Sequence, residues 1–292
     1  MDETKGVHLQ FKKYITETMS DGEFITYVAD RILYVGESPY QKIQVFENCV
    51  YGRILMLDQA VQFTDADEFI YHEMLSHPAV LAHPSPKRVL IVGGGDGGIA
   101  REVLRHPEVE SVELCEIDEK VIEICREYFP KVASSYDDRR LHLHVGDGVA
   151  RLRSLPAGSL DVVLVDGTDP NQISLGLYSE AFYRDIAAAL GDDGVLGTLA
   201  GSPFFHKEWT KLVHRELRKV FPVVAVYTAT IPTYPGFLWA FCVATKGSDP
   251  RALEDPSRLR RIEGQLNYLN TKLHRAAFAV PSFVARLLGM EV

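Results

Sequence analysis

Val89-Leu-Ile-Val-Gly-Gly-Gly-Asp-Gly-Gly98 decides the fold. Four apolar residues run without interruption into a cluster of glycines, and a helical pattern opens at about Ile99. An uninterrupted apolar strand is the mark of a strand buried on both faces, as in a parallel sheet covered by helices. Glycines directly after it let the backbone turn sharply and let a ligand approach the main chain. A tight turn alone would use the same residues, so the loop needs support from its surroundings.

Downstream, strand and helix patterns alternate. Arg88–Val92 precedes Ile99–Arg105, Ser111–Ile117 precedes Lys120–Tyr128, and Leu141–Val145 precedes Gly148–Leu155. Leu160–Val165 precedes Tyr178–Leu190, Gly194–Leu199 precedes Trp209–Val220, and Val223–Thr228 and Leu238–Thr245 close the series. This is the pattern of an α/β, Rossmann-like doubly wound sheet of the class I methyltransferase-like kind. Upstream, residues 24–64 read as short β segments: Phe24–Val28, Arg31–Val35, Gln41–Phe46 and Arg53–Leu57, punctuated by Gly36, Pro39, Asn48 and Gly52. They predict one small antiparallel sheet. A helix is expected over Asp65–His77, with Pro78 and Pro84 marking its end. The expected organisation is an N-terminal β domain, residues 1–64, and a catalytic domain, residues 65–292.

The bulk properties narrow the partners. The chain of 292 residues carries a formal charge of −9 and no basic run, which argues against nucleic acid or an anionic membrane and permits a cationic ligand. No apolar stretch approaches the roughly 18 residues of a membrane span. The opening MDETKGVHLQFKK has no apolar core of a secretory signal, so the cytoplasm is the expected compartment. Cys49, Cys115, Cys125 and Cys242 form no C-x-x-C pair, so buried thiols are expected and a metal site is not.

Acidic residues gather where strands end. Asp96 lies inside the glycine loop. Glu116 closes the second strand about twenty residues after the glycines, where a carboxylate meets the ribose of an adenosine; Asp118 reads as a helix N-cap. Asp147, in Gly146-Asp-Gly148 after the third strand, suits either an adenine amino group or a simple Asx turn. The fourth strand ends in Asp166-Gly-Thr-Asp-Pro170; a strand disfavours Asp166, whereas Asp169 before a proline could merely start a turn. An anionic Asp96 would repel a dinucleotide's pyrophosphate and attract a sulfonium, so the nucleoside expected is S-adenosylmethionine or a relative.

The chain resembles the spermidine synthase family over nearly its whole length. The resemblance rests on Tyr40-Gln-Lys-Ile43, Leu57-Asp58, Asp67-Glu-Phe-Ile-Tyr-His-Glu-Met74, His83-Pro84, the Val89–Gly98 stretch, Arg101-Glu-Val103, Cys115-Glu-Ile-Asp118 and Gly146-Asp-Gly148. It continues through Asp166 with Thr168-Asp-Pro170, Phe221-Pro222, Thr233-Tyr-Pro235 and His274-Arg-Ala-Ala-Phe278. It implies a polyamine aminopropyltransferase, a homodimer or homotetramer, with no prosthetic group and decarboxylated S-adenosylmethionine as co-substrate. It also implies roles. Gln41, Gly93, Gly95, Asp96, Glu116, Asp147, Gly148 and Pro170 would hold the donor. Asp166 would accept the proton, with Tyr71 orienting the amine. His72, Asp96, Asp166, Asp169, Tyr234 and Trp239 would line the amine channel. Tyr71, Tyr234 and Trp239 could equally be core aromatics, and His72 a satisfied helix histidine.

Two departures touch the acceptor. Gly167 stands where members of the family often carry serine, and Thr198-Leu-Ala-Gly-Ser-Pro203 lacks the acid usual in putrescine-using members. Small Gly167 and Gly201 would widen the channel. Putrescine is the first acceptor expected; agmatine, cadaverine and spermidine are alternatives. A methyltransferase, a carboxyaminopropyltransferase and a nucleoside-binding regulator without catalysis are the competing readings. An ordinary aspartate, with a pKa near about 4, would be a weak base for an amine.

Overall fold

The computed structural model describes residues 13–20, 22–168 and 175–291. The chain splits into two compact units, residues 1–66 and 67–292.

Among the described residues the first unit holds six strands: β1 (Lys13–Ser20), β2 (Glu23–Ala29), β3 (Arg31–Glu37), β4 (Lys42–Asn48), β5 (Gly52–Leu57) and β6 (Ala60–Thr64). They form two sheets, not the single one expected: an antiparallel β1–β2 pair and a sheet in the order β3-β4-β5-β6. Only Asp30 separates β2 from β3, one residue short of the tightest hairpin loop, so the two strands do not pair with each other. Tyr27, Ala29, Phe46, Ile54, Met56 and Val61 form the core here. Buried Glu17 accepts hydrogen bonds from the Val61 amide at 2.8 Å and the Tyr27 hydroxyl at 3.3 Å, as a buried carboxylate must find donors.

The second unit opens with α1 (Glu68–Ala82) and continues through β7 (Arg88–Gly93), α2 (Gly98–Val103), β8 (Ser111–Glu116), α3 (Glu119–Tyr128), β9 (Leu141–Val145), α4 (Gly148–Ser154) and β10 (Leu160–Asp166). It ends with α5 (Glu180–Ala189), β11 (Leu190–Gly201), α6 (Lys207–Arg218), β12 (Val223–Thr230), β13 (Leu238–Thr245), α7 (Pro256–Glu263), α8 (Thr271–Ala277) and α9 (Ser282–Leu287). The strands form one sheet in the order β12-β13-β11-β10-β7-β8-β9, in which β13 alone runs antiparallel to its neighbours. This bears out the doubly wound reading. From β7 the chain moves to β8 on one side, and from β10 to β11 on the other. The gap beyond the tips of β7 and β10 is therefore the topological switch point, where such sheets bind ligands.

Helix α1 extends past Pro78, which the sequence reading takes as its end. Proline has no N–H to give the carbonyl of Met74, four residues back, and that loss normally breaks a helix. Here the Tyr227 hydroxyl donates to the Met74 carbonyl at 2.6 Å and fills the missing bond. The Arg258 guanidinium holds the far end, donating to the carbonyls of Val80, Leu81 and His83. In mid-helix, buried Glu73 accepts three backbone amides, from Asn267, Tyr268 and Leu269, and so anchors the C-terminal segment. α1 is thus fixed on several sides, which matters because it carries Glu68, Tyr71 and His72.

Candidate active site

The site forms where β7, β8 and β10 end. Strand pairing sets Gly93 directly beside Asp166. Gly93 has φ +86, and a Cβ there would lie 2.0 Å from the Asp166 carbonyl oxygen, so only glycine lets the two strand tips close. A Cβ on Gly95 would fall 2.7 Å from Cγ of Glu116, and one on Gly98 would strike the His72 ring. Each of these glycines makes room for a residue of the site.

Glu116 is fixed by the loop it faces. Its Oε2 accepts from the Gly95 amide at 3.1 Å and its Oε1 from the Asp118 amide at 2.8 Å. Burial still pushes its carboxyl up to about 7, against the pull of these two amides. Asp118 caps α3 as expected, accepting from the Lys120 amide at 3.1 Å. Asp147 caps α4 through Oδ1, which accepts from Val149 at 2.8 Å and Ala150 at 3.3 Å, and the residue is exposed. It stands one residue past Gly146, whose amide donates to the Glu116 carbonyl at 2.8 Å. Gly148 packs so closely on Val92 that a Cβ would lie 2.6 Å from its Cγ1.

Asp96 accepts from the Gly98 amide at 2.6 Å and stands 3.3 Å from Nε2 of His72. Burial acts to raise its carboxyl, but the charge and hydrogen bond of His72 outweigh that and hold it below the usual carboxylate range. Asp166 ends in the opposite state. Burial, reinforced by the negative charge of Asp96, pushes it up to about 7, although the Tyr71 hydroxyl donates to its Oδ1. The Tyr71 phenol is itself driven well above its ordinary value by burial and by Asp166, so it remains a donor. The sequence reading gives Asp166 an ordinary aspartate's weak basicity; enclosure at the strand tips removes that handicap.

Aromatic rings continue from Tyr71. Tyr234 lies 5.7 Å from it between centroids and 4.7 Å from Trp239, and Trp239 lies 5.9 Å from Trp209 and 5.7 Å from His206. Tyr178 packs edge-on to Trp209 at 5.4 Å. Buried Trp239 and Trp209 have indole N–H groups without a hydrogen-bond partner in the described structure. Asp67, just before α1, accepts from the Thr233 amide at 3.1 Å and hydroxyl at 2.6 Å, tying the Tyr234 loop to the helix that bears Tyr71.

These rings correct one expectation. Gly167 and Gly201 do not widen a channel. A Cβ on Gly167 would meet the Tyr178 hydroxyl at 2.8 Å, and one on Gly201 would meet the Trp209 ring at 2.3 Å. Aromatic side chains from α6 and the segment before α5 already fill both spaces.

The structure therefore gathers Gly93, Gly95, Asp96, Glu116, Asp166, Tyr71 and His72 at one switch point, with Tyr234 and Trp239 extending from Tyr71 and with Asp147 and Gly148 at the neighbouring strand tip. Gln41 belongs to the first unit, where its amide donates to the Ser38 hydroxyl at 3.1 Å. Asp169 and Pro170 lie outside the described residues. Glu68, Arg101 and Tyr178 escape the sequence reading as residues of the site. The first carried a legible signal, since Glu68 and His72 are spaced to meet on one helix face.

Residues 68–252 match the family profile of the spermine/spermidine synthase domain. The chain belongs to the spermine/spermidine synthase family. Residues 13–65 match a second profile, the spermidine synthase tetramerisation domain. The polyamine aminopropyltransferase of Thermotoga maritima is 40% identical over 284 residues, covering 97% of this chain and 95% of that protein. That of Bacillus mycoides is 39% identical over 275 residues, covering 94% and 98%. The crystal structure of spermidine synthase from Thermotoga maritima superposes with a TM-score of 0.90 at 38% identity, covering 96% and 95% of the two chains. A spermidine synthase in complex with the transition-state analogue AdoDATO superposes with a TM-score of 0.92 at 39% identity, covering 95% of each. Membership of the spermine/spermidine synthase family makes the chain an enzyme and bears out the resemblance read from its motifs. No helix of the described residues is long and apolar enough to cross a membrane.

Proposed function

We propose that this enzyme transfers the aminopropyl group of decarboxylated S-adenosylmethionine to putrescine, giving spermidine and methylthioadenosine. One observation carries the reading: a carboxylate raised to about 7, Asp166, is hydrogen-bonded to Tyr71 at the switch point and faces the acidic glycine loop. In the reaction the amine lone pair forms the N–C bond. The C–S bond breaks with its electrons passing to sulfur, and the sulfonium charge disappears. The surplus proton on nitrogen goes to Asp166. The leaving group is already activated, so the protein's task is alignment and proton removal. A primary amine has a pKa of roughly 10, and a base near 7 is far closer to it than an ordinary aspartate.

In this scheme Glu116 receives the ribose hydroxyls, and their donation would draw its carboxyl back toward the ionised form. Asp147 uses the oxygen not engaged in capping α4 for the adenine amino group. Gly93, Gly95 and Gly148 give the nucleoside access to the main chain. Asp96 meets the aminopropyl ammonium. His72, Asp169, Tyr234 and Trp239 line the amine side. The tetramerisation profile over residues 13–65 supports a homo-oligomer, a tetramer or a dimer. All four cysteines are unpaired thiols, which suits a reducing compartment such as the cytoplasm.

A second acceptor reading has its own support. The half-buried ring of Tyr234, next to Tyr71, offers a π-face to a flat guanidinium, as in agmatine. The test is incubation with decarboxylated or intact S-adenosylmethionine and a panel of amines, read by mass. Aminopropylated putrescine supports the first reading and aminopropylated agmatine the second. A methyl or carboxyaminopropyl product from intact donor, with no aminopropyl transfer, would overturn both.

A further inference from the structure

His72 has a carboxylate at each ring nitrogen. Nδ1 lies 2.5 Å from Glu68 Oε2, and Nε2 lies 3.3 Å from Asp96 Oδ1. A neutral imidazole carries one N–H and one lone pair, so one of its nitrogens would turn a lone pair toward an anion. Only the imidazolium donates at both. Glu68 in turn cannot rotate away. Arg101 grips both of its oxygens, NH1 to Oε1 at 3.0 Å and NH2 to Oε2 at 2.8 Å, the forked pairing that guanidinium and carboxylate favour. Arg101 is itself braced by Glu102, at 2.7 Å from its Nε. The result is a string of alternating charge, Asp96, His72, Glu68, Arg101, running from the glycine loop through α1 to α2.

We propose that Glu68, held by Arg101, is a positioning residue that keeps His72 doubly protonated and so fixes the Asp96 carboxylate for the donor's ammonium. Asp96 Oδ1 is occupied by His72 and by the Gly98 amide at 2.6 Å, which leaves Oδ2 to face the ligand. The inference rests on the aminopropyltransferase reading only for what Asp96 binds; the state of the His72 ring is independent of it.

The electrostatics agree with the geometry. The charged groups around His72 are Glu68 on its own helix, Asp96 from the loop after β7, Asp166 at the end of β10, and Arg101 on α2 behind Glu68. Burial acts to strip the ring of its proton, but Asp96 and Glu68 outweigh it and raise the ring to about 10. Burial likewise opposes ionisation of Glu68, and His72 and Arg101 overcome it, holding that carboxyl down at about 2. Without the Glu68 charge, His72 would keep Asp96 as its one anionic partner and face Arg101 across a neutral group, so its raised pKa would fall.

The experiment is ring ¹⁵N NMR of the wild-type enzyme at pH ~8, with His72→Asn used only to assign the His72 signals. Two protonated ring nitrogens are expected; a neutral tautomer would overturn the inference without any variant having to fold. Glu68→Gln is then compared with wild type in kcat/KM for the donor as pH rises from ~6 to ~9. The variant-to-wild-type ratio should fall roughly tenfold across that range, as the ring discharges in the variant alone. A ratio that stays constant with pH would mark Glu68 as merely structural and overturn the proposal. If the wild type transfers no aminopropyl group, the functional reading fails, while the NMR result still decides the state of the ring.

Discussion

Asp96 and Asp166 stand at the tips of adjacent strands of one sheet and both are half-buried, yet their carboxyls are driven in opposite directions. Around Asp96 the neighbours are ionic: His72, then Glu68, Arg101 and Glu102. Around Asp166 they are aromatic and hydroxylic: Tyr71, then Tyr234 and Phe241 packed on its ring. The first setting holds an anion permanently; the second raises a carboxyl to about 7, where it exchanges protons near neutrality. Burial pushes both carboxyls up; at Asp96 the His72 charge and hydrogen bond overturn it, whereas at Asp166 the negative charge of Asp96 adds to it.

Asp166→Asn should break the comparison hardest. It keeps the shape and removes the base, so kcat should fall roughly a thousandfold, while methylthioadenosine affinity by calorimetry stays within a few-fold. Near-wild-type turnover would show that Asp166 is not the proton acceptor. Glu116→Gln strikes the binding side. Losing a charged acceptor for the ribose hydroxyls should raise the donor KM about ten- to a hundredfold with kcat little changed; an effect on the amine KM instead would reverse the assignment.

Two glycines sharpen the same contrast with smaller effects. Gly95→Ala puts a methyl against Glu116 and should raise the donor KM several-fold, leaving that of the amine unchanged. Gly167→Ala presses on the Tyr178 hydroxyl and should do the converse. Steady-state kinetics in both substrates checks the pair, and identical profiles would mean that the two sides are not separable.

The smallest effect expected is on stability. Glu68 and Glu102 have folded-state values of about 2 against an ordinary 4.5, because His72, His77 and the arginines outweigh the cost of burying them. A depressed carboxyl stabilises the fold fully above its unfolded value and loses that contribution as pH falls toward the folded one. The melting temperature should therefore drop between pH ~5 and ~2, and drop less in Glu102→Gln. An equal drop in both proteins would show that Glu102 takes no part.

Much of the molecule is written in local pattern. Val89–Val92 and Val162–Val165 are uniformly apolar, so they announce buried parallel strands, and the acids at their ends follow because a strand's C-terminal tip is where its chain meets the crevice. That locates Asp96, Glu116 and Asp166 from sequence alone. What sequence does not disclose arises between residues far apart. Tyr71 reaches Asp166 across 95 positions, Tyr227 rescues the Pro78 helix across 153, and Tyr178 and Trp209 fill the spaces that Gly167 and Gly201 seem to open. The order of residues determined that carboxylates would meet at one sheet edge, because periodicity and strand ends are properties of neighbours in the chain. Only the tertiary structure decided which of them stays charged and which can take a proton, because a pKa is set by the groups that folding brings within a few ångströms.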